Sequence, residues 1–245
     1  LTLTDEGRHF LRFAEKALQE RNDIIQQLHD ASGKVSGKIT IQANAIGYLI
    51  AQLFCDFRAE YPDVEVQFLS VPELSQNDYS KSPFQSVDLF VTTCPPYPNS
   101  EAQCLLTNES LLAVLPHTHP LVNRDSLSLK ELKEEPFLLY EGGEVERLIR
   151  QCCYNSGFSP KVQLKCHTID VLFNMVHANF GVSLFPSSWK QLCSEDICFL
   201  PLQESYSRPI YLCWDEKKYR NHATKLFQSY VIQYFKHPRQ GLQLL

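Results

Sequence analysis

Nine cysteines and eight histidines are the side chains of this sequence best able to bind metal or react covalently. His117 and His119 have no cysteine, aspartate or glutamate at ligand spacing, so we do not expect a metal site there. Cys193 and Cys198 fit neither a CxxC pair nor a zinc ribbon. Gly142-Gly143 lacks the Lys-Ser/Thr of a phosphate loop. The motifs therefore predict neither an enzyme nor a bound cofactor.

Polar residues at the ends of predicted strands and the starts of predicted helices are better candidates, because backbone N–H groups are open to a ligand there. Asn44 follows an alternating strand and stands where a helix N-cap belongs. The predicted ligand-contacting residues are Asn44, Ala45, Ile46, Val71, Pro72, Thr92, Thr93, Tyr140, Thr168 and Ile169. With no dedicated arginine among them, they suggest a small polar or carboxylate ligand held by neutral donors. The alternative is that Asn44, Thr93 and Thr168 only cap helices or turns.

One βαβ unit must position the first of these residues. Lys38-Ile39-Thr40-Ile41-Gln42 alternates polar and apolar residues, as a strand does. A helical run follows Asn44 and must stop near Tyr61-Pro62, and Val64-Glu65-Val66-Gln67-Phe68 alternates again as a second strand. Small ligands bind at the carboxyl edge of such a unit.

The rest of the chain alternates strands with helices and predicts a second α/β lobe. The predicted strands cover 87–91, 103–106, 110–115, 137–140, 162–166, 182–185, 197–200 and 210–214, and the predicted helices cover 129–134, 144–155 and a segment that Thr168 caps. The last helix, 221–236, carries an apolar face that needs a sheet to cover.

A long helix is predicted over residues 5–30, with Gly33 just beyond its end. Its apolar residues form two neighbouring seams with a spacing close to 3.5 residues. We expect it to dimerise through Phe10, Ala14, Ala17, Leu18, Ile24 and Leu28. The alternative is an ordinary helix that lies on its own domain.

Composition excludes several classes of protein. The net charge of −5 argues against these residues as the main surface that grips a phosphate backbone. No apolar run approaches the roughly 18 residues of a membrane helix, so no membrane partner is expected. The start of the sequence does not have the pattern of a signal peptide, and an odd number of cysteines favours free thiols in a reducing cytoplasm.

Seven short motifs, in order along the chain, carry a resemblance to a known family. They are Leu3-Thr4-Asp5-Glu6-Gly7, Gly37-Lys38-Ile39-Thr40-Ile41, Tyr61-Pro62-Asp63-Val64, Val87-Asp88-Leu89, Leu112-Ala113-Val114-Leu115-Pro116, His119-Pro120-Leu121 and Gly181-Val182-Ser183-Leu184-Phe185-Pro186. Together they make the chain resemble a LysR-type transcriptional regulator that lacks most of its N-terminal winged helix-turn-helix. Asn179 and Phe180 depart from the glycine-rich approach to Gly181 that is usual in this family.

The resemblance implies an α/β fold of two Rossmann-like lobes of the type 2 periplasmic-binding-protein kind, preceded by a long linker helix. Residues 1–36 would hold the end of the wing, the linker helix and a hinge. Residues 37–113 and 214–245 would form lobe I, and residues 114–213 would form lobe II. The resemblance further implies a small-molecule effector between the lobes, a cytoplasmic homodimer or homotetramer, and DNA binding only through the missing N-terminal domain.

Two other functions are weighed against this one. A solute-binding receptor of the same fold is the leading alternative, although a receptor has no use for the helix of residues 5–30. Some members of the family sense peroxide through a cysteine in the turn after the first strand of the second lobe. Val145 stands there in this sequence, and the acidic neighbours of Cys152 and Cys153 would raise a thiol pKa, so redox sensing is not the favoured function.

Overall fold

The structure is a computed structural model that describes residues 4–30, 36–43, 47–70, 87–93, 102–193, 196–216 and 218–236. Its helices are α1 (Asp5–Asp30), α2 (Gly47–Glu60), α3 (Gly143–Asn155), α4 (Ile169–His177) and α5 (His222–Lys236), with 3₁₀ helices η1 (Leu129–Leu132) and η2 (Ser187–Leu192). Its strands are β1 (Gly37–Ala43), β2 (Val64–Ser70), β3 (Leu89–Thr92), β4 (Ala102–Pro116), β5 (Pro136–Tyr140), β6 (Lys161–Cys166), β7 (Ser183–Pro186), β8 (Ile197–Pro201) and β9 (Ser207–Trp214). No helix in these described ranges combines the length and the apolar character needed to cross a membrane.

The first sheet is built on the predicted βαβ unit. β1 pairs in parallel with β2 over its whole length and with β3 at its end. α2 connects the two long strands and ends at Glu60, because Pro62 has no N–H with which to continue the helix. β9 runs antiparallel beside β3, and the first part of β4 runs antiparallel beside β9.

Strand β4 belongs to both sheets. Residues 102–110 pair with β9, and residues 111–116 pair with β7 on one side and β8 on the other. The prediction of two separate strands, at 103–106 and 110–115, is wrong, because one continuous strand spans both ranges. Polar residues Thr107, Asn108 and Glu109 interrupt the apolar alternation in the sequence, but a register shift between Leu105 and Thr107 lets one strand continue through them.

The second sheet continues from β7. β5 pairs in parallel with β6, and a parallel bridge joins Phe137 to Val182 at the start of β7. Gly181 permits this close approach, since a Cβ there would lie 2.4 Å from the carbonyl oxygen of Pro136. Asn179 adopts a left-handed backbone with φ 61°, which asparagine tolerates better than most residues.

Two hydrophobic cores lie under these sheets. One contains Ile39, Ile41, Phe57 and Phe227, where α2 and α5 cover the first sheet. The ring centroids of Phe57 and Phe227 lie 4.7 Å apart, edge to face. The sequence therefore predicted correctly that the last helix covers a sheet formed far upstream. The other core lies under the second sheet and includes α3 and α4.

The fold thus has two α/β lobes joined by β4 and by the segment between β8 and β9. The predicted residue boundaries of the lobes stay a prediction. Among the described residues, β9 pairs with β3 and with residues 102–110 of β4.

Helix α1 spans the predicted residues and carries large apolar side chains in contact with solvent. Phe10, Phe13, Leu18 and Ile24 are each more than half exposed. Ala17 is also exposed, Ala14 is half-buried, and the Leu28 side chain lies outside the described residues. Because these side chains contact solvent, the predicted dimerisation seam is free to pack against a partner.

Candidate ligand-binding cleft

The carboxyl ends of β1, β2 and β3 meet at one edge of the first sheet. Ala43 is the register partner of both Ser70 and Val91, so the three strands end together at that edge, with Thr92 and Thr93 directly after Val91. Thr92 and Thr93 are buried there. The other predicted residues of this edge, Asn44, Ala45, Ile46, Val71 and Pro72, lie outside the described residues.

The second sheet has a matching edge. β5, β6 and β7 are parallel, and Tyr140 is the register partner of Cys166. Tyr140 is half-buried and contacts Trp189 edge to face, with ring centroids 5.4 Å apart. The predicted Tyr140, Thr168 and Ile169 therefore share an edge with Trp189, a residue of η2 that the sequence did not suggest.

Thr168 occupies the N-cap position of α4 but does not cap it through its side chain. Its backbone is extended and its hydroxyl makes no cap hydrogen bond. The side chain is exposed, while Ile169 beside it packs against the second core. The capping alternative is therefore wrong for this hydroxyl, which leaves it open to a ligand.

Glu146 holds the turn that follows β5. Its carboxylate accepts a hydrogen bond of 2.9 Å from the Gly142 N–H and ion pairs of 2.9 Å from Arg150 and 2.7 Å from Lys165. Burial would raise the pKa of Glu146, but the hydrogen bonds from Lys165, Gly142 and Arg150 outweigh it and lower this pKa to about 2. Gly142 and Gly143 both have positive φ in this turn, which glycine adopts without steric cost.

A buried ion pair lies where β4 and β9 cross between the lobes. Arg208 Nε donates to Glu109 Oε2 over 2.8 Å, and the side chains are 2% and 0% exposed. The second carboxylate oxygen, Oε1, accepts a hydrogen bond of 2.9 Å from the Ser188 N–H in η2. The pair therefore ties the edge of the second sheet to both crossing strands.

The position of this pair follows from the strand registers. Tyr211 is the partner of Thr92, and Arg208 lies three residues beyond it on the path to the second sheet. On β4, Leu111 is the partner of Pro186, two residues from Glu109. The pair thus lies between the two carboxyl edges. The sequence did not suggest this pair, and its one signal was a glutamate inside an otherwise strand-like region.

Ser187 and Ser188 follow β7 at the same place. Their hydroxyl oxygens are inaccessible to solvent and have no hydrogen-bond partner among the described residues. Ser183, four residues before Ser187, differs because its hydroxyl donates a hydrogen bond of 2.6 Å to the Leu138 carbonyl. A buried hydroxyl without a hydrogen-bond partner lowers the free energy of unfolding by about 1–3 kcal/mol. A bound polar group that paired with either hydroxyl would recover that cost.

The cysteines and histidines do not form a reactive centre within the described residues. Burial raises the pKa of Cys152 to about 11 and the pKa of Cys213 to about 12. Burial followed by the Cys152 neighbour raises the pKa of Cys153 to about 12. His117 and His119 approach different carboxylates, those of Asp196 and Glu135 respectively. Neutral thiols of this kind do not act as nucleophiles near pH 7.

Comparisons with known proteins agree with this geometry. The chain matches the family described as LysR substrate binding domain over residues 32–236. It is 26% identical over 250 residues to the uncharacterised HTH-type transcriptional regulator YcgK of Bacillus subtilis (strain 168), covering 94% of this chain and 76% of that protein.

Solved structures show the same fold. HinK, a LysR family transcriptional regulator from Pseudomonas aeruginosa, superposes with a TM-score of 0.72 at 21% identity, over 96% of this chain and 81% of that one. The BenM effector binding domain with its effector benzoate superposes with a TM-score of 0.68 at 18% identity, over 80% of this chain and 90% of that one.

Fold and cleft together define a two-lobed α/β sensor domain of the periplasmic-binding-protein kind. The chain belongs to the LysR substrate-binding domain family and forms the effector-binding part of a LysR-type transcriptional regulator. The relatives favour this function over that of a solute-binding receptor, and they are regulators, not enzymes.

Proposed function

We propose that this chain binds a small polar or carboxylate metabolite between the carboxyl edges of its two sheets. The observation that carries the proposal is that both edges meet at the same crossing strands, β4 and β9. The effector would contact Asn44, Ala45, Ile46, Val71, Pro72, Thr92, Thr93, Tyr140, Thr168 and Ile169. A solved neighbour of the same fold carries the carboxylate benzoate as its effector, which supports this class of ligand.

The proposed mechanism is a shift between two orientations of the lobes. η2 follows the second sheet yet packs against α2 of the first lobe, so the two lobes already touch across the cleft. A ligand that contacts both edges better in one orientation stabilises that orientation, and only this difference in affinity can move the equilibrium. In the full-length regulator the change would reach the DNA-binding domains.

The partner proposed for α1 is a second copy of this chain. Phe10 is 70% exposed and Ile24 is 57% exposed, which is unusual for large apolar side chains on one helix. We propose a homodimer, or a homotetramer built from it, through the seam of Phe10, Ala14, Ala17, Leu18, Ile24 and Leu28. A cytoplasmic location and DNA binding by the full-length protein complete the proposal.

Calorimetric titration with a panel of metabolites tests the effector site. We expect at least one panel member to bind the chain, and Asn44→Ala and Thr168→Ala to weaken that binding. Ser128→Ala is a suitable control, because its hydroxyl bonds to Glu204 in lobe II away from these edges. If neither cleft variant changed the affinity for that metabolite, the assignment of the effector site would be wrong.

Light scattering tests the role of α1. The chain should have the mass of a dimer or tetramer, and removal of residues 1–32 should reduce that mass. A Phe10→Glu, Ile24→Glu variant should do the same without shortening the chain. An assembly that survives both changes would show that α1 does not hold it together.

A further inference from the structure

We infer that Trp189 is a positioning residue of the sensor, which links the effector edge of the second sheet to the first lobe through the 3₁₀ helix η2. The inference rests on the proposed function and names the side chain through which a bound effector would act on the orientation of the lobes.

Helix η2 contacts three parts of the molecule. Trp189 contacts Tyr140, a predicted effector-binding residue at the end of β5, with ring centroids 5.4 Å apart and ring planes at 72°. At the start of the helix, the Ser188 N–H donates to Glu109 on the crossing strand β4 over 2.9 Å. The backbone of η2 also lies against α2 of the first lobe. One short helix therefore joins the effector edge, the crossing strands and the opposite lobe.

The Trp189 ring is held within the second core. It is 9% exposed, and it also packs against Phe185 of β7, with ring centroids 5.2 Å apart. Aromatic rings at these separations prefer particular orientations, and a close-packed core has little empty space into which a ring can shift. A displacement of the Tyr140 ring by an effector therefore moves the indole and the helix that carries it.

Glu109 connects this helix to the crossing strands. Glu109 and Arg208 are direct register partners on β4 and β9, and they form an ion pair of 2.8 Å with side chains 0% and 2% exposed. β9 begins at Ser207, beside Ser110, and beyond this point β4 pairs with β7 and β8. The Ser188 N–H thus bonds to the chain where the two crossing strands separate. A movement of η2 acts on the molecule at that point.

Hydrogen exchange of the ligand-free chain, followed by mass spectrometry, tests this linkage without knowledge of the effector. Tyr140→Leu removes the ring that contacts Trp189 and keeps an apolar side chain. We expect exchange of the peptides that cover η2 and α2 to rise by about tenfold, the factor that corresponds to weakening one buried hydrogen bond. Tyr140→Phe keeps the ring and should leave both exchange rates unchanged.

Phe158→Leu is the matched control. Phe158 is also a half-buried aromatic residue that packs against the second core, but the ring it contacts is that of Phe137, with centroids 6.0 Å apart. A general loss of stability in the second lobe would raise exchange alike in Phe158→Leu and Tyr140→Leu. A rise in η2 and α2 that only Tyr140→Leu produces therefore reports the contact with Trp189.

Trp189→Leu completes the test. This variant should by itself raise exchange in η2 and α2. Adding Tyr140→Leu to it should produce no further rise, because the ring through which Tyr140 acts is already absent.

Three results would overturn the inference. They are equal exchange in Tyr140→Leu and Phe158→Leu, additive effects of Tyr140→Leu and Trp189→Leu, or a rise in η2 that leaves α2 unchanged. Metabolite titration separates this failure from that of the proposed function. If Thr168→Ala weakened the binding of a metabolite while exchange gave one of these three results, the effector site would stand and Trp189 would not be its link to the first lobe. No binding by any metabolite would count against the effector site itself.

Discussion

Removal of one charge from the Glu109–Arg208 pair should destabilise the protein severely. Arg208→Met leaves a glutamate that is 0% exposed without its cation. Breaking a buried pair from one side costs about 3–5 kcal/mol. For a chain of this size, each kcal/mol lowers Tm by about 2–4 °C, so we expect a fall of about 6–20 °C.

Glu109→Leu should cost more than Arg208→Met. It strands the guanidinium and also removes the acceptor of the Ser188 N–H, which adds about 1–3 kcal/mol. The double variant Glu109→Leu, Arg208→Met removes both charges and retains only this last loss. Its cost should therefore lie several kcal/mol below the sum of the two single variants.

Urea unfolding of the two single variants and the double variant measures this coupling. The ion pair between Glu134 and Lys161 provides the control, because both side chains are more than half exposed. Glu134→Leu should unfold at the same urea concentration as the unaltered chain. If Arg208→Met behaved like that control, or if the single effects were additive, the pair would not be a desolvated link between the lobes.

Three further predictions concern other parts of the fold. Gly181→Ala should lower Tm by several degrees, because its Cβ would lie 2.4 Å from the Pro136 carbonyl oxygen. The lowered pKa of Glu146, about 2 in the folded chain against an ordinary 4.5, contributes stability above pH 4.5 that is lost as pH falls toward 2. Glu146→Gln should therefore flatten the dependence of unfolding free energy on pH in that window. Cys213, whose pKa burial raises to about 12, should resist N-ethylmaleimide at pH 7.5, while exposed Cys55 is labelled; mass spectrometry distinguishes them.

Each of these predictions has a clear contrary result. An unchanged Tm in Gly181→Ala would mean that the second sheet can shift at the Phe137–Val182 bridge. If Glu146→Gln left the pH dependence of the unfolding free energy unaltered, other carboxylates would account for the loss of stability in acid. Rapid labelling of Cys213 in the folded chain would mean that the strand which carries it opens on the timescale of the reaction.

Local sequence patterns predict most of the strands and helices of the fold. Alternation in β1 and β2, with Pro62 after α2, is enough to predict the first βαβ unit, because the period and the stop signal lie within a few residues. The apolar face of α5 predicted that this helix covers a sheet, and the family resemblance implied that the sheet lies far upstream. Strand β4 was divided in the prediction because its polar middle gains partners only when β9, about 100 residues later, lies beside it.

The candidate site was predictable only in part. Residues that follow strand ends could be named from the sequence, and Thr92, Tyr140 and Thr168 indeed lie at the two carboxyl edges. Glu109 and Arg208 could not, since they are 99 residues apart and meet only through the pairing of β4 with β9. Alternation by itself cannot tell a charged residue in a strand from one in a loop.

A crystal structure of the chain with its best-binding metabolite would test the proposed effector site between the two lobes. We expect density between the edge at Thr92–Thr93 and the edge at Tyr140 and Thr168, with polar atoms of the metabolite within about 3 Å of donors at both edges. A metabolite bound elsewhere on the chain, with this cleft filled by side chains of the two lobes, would contradict it.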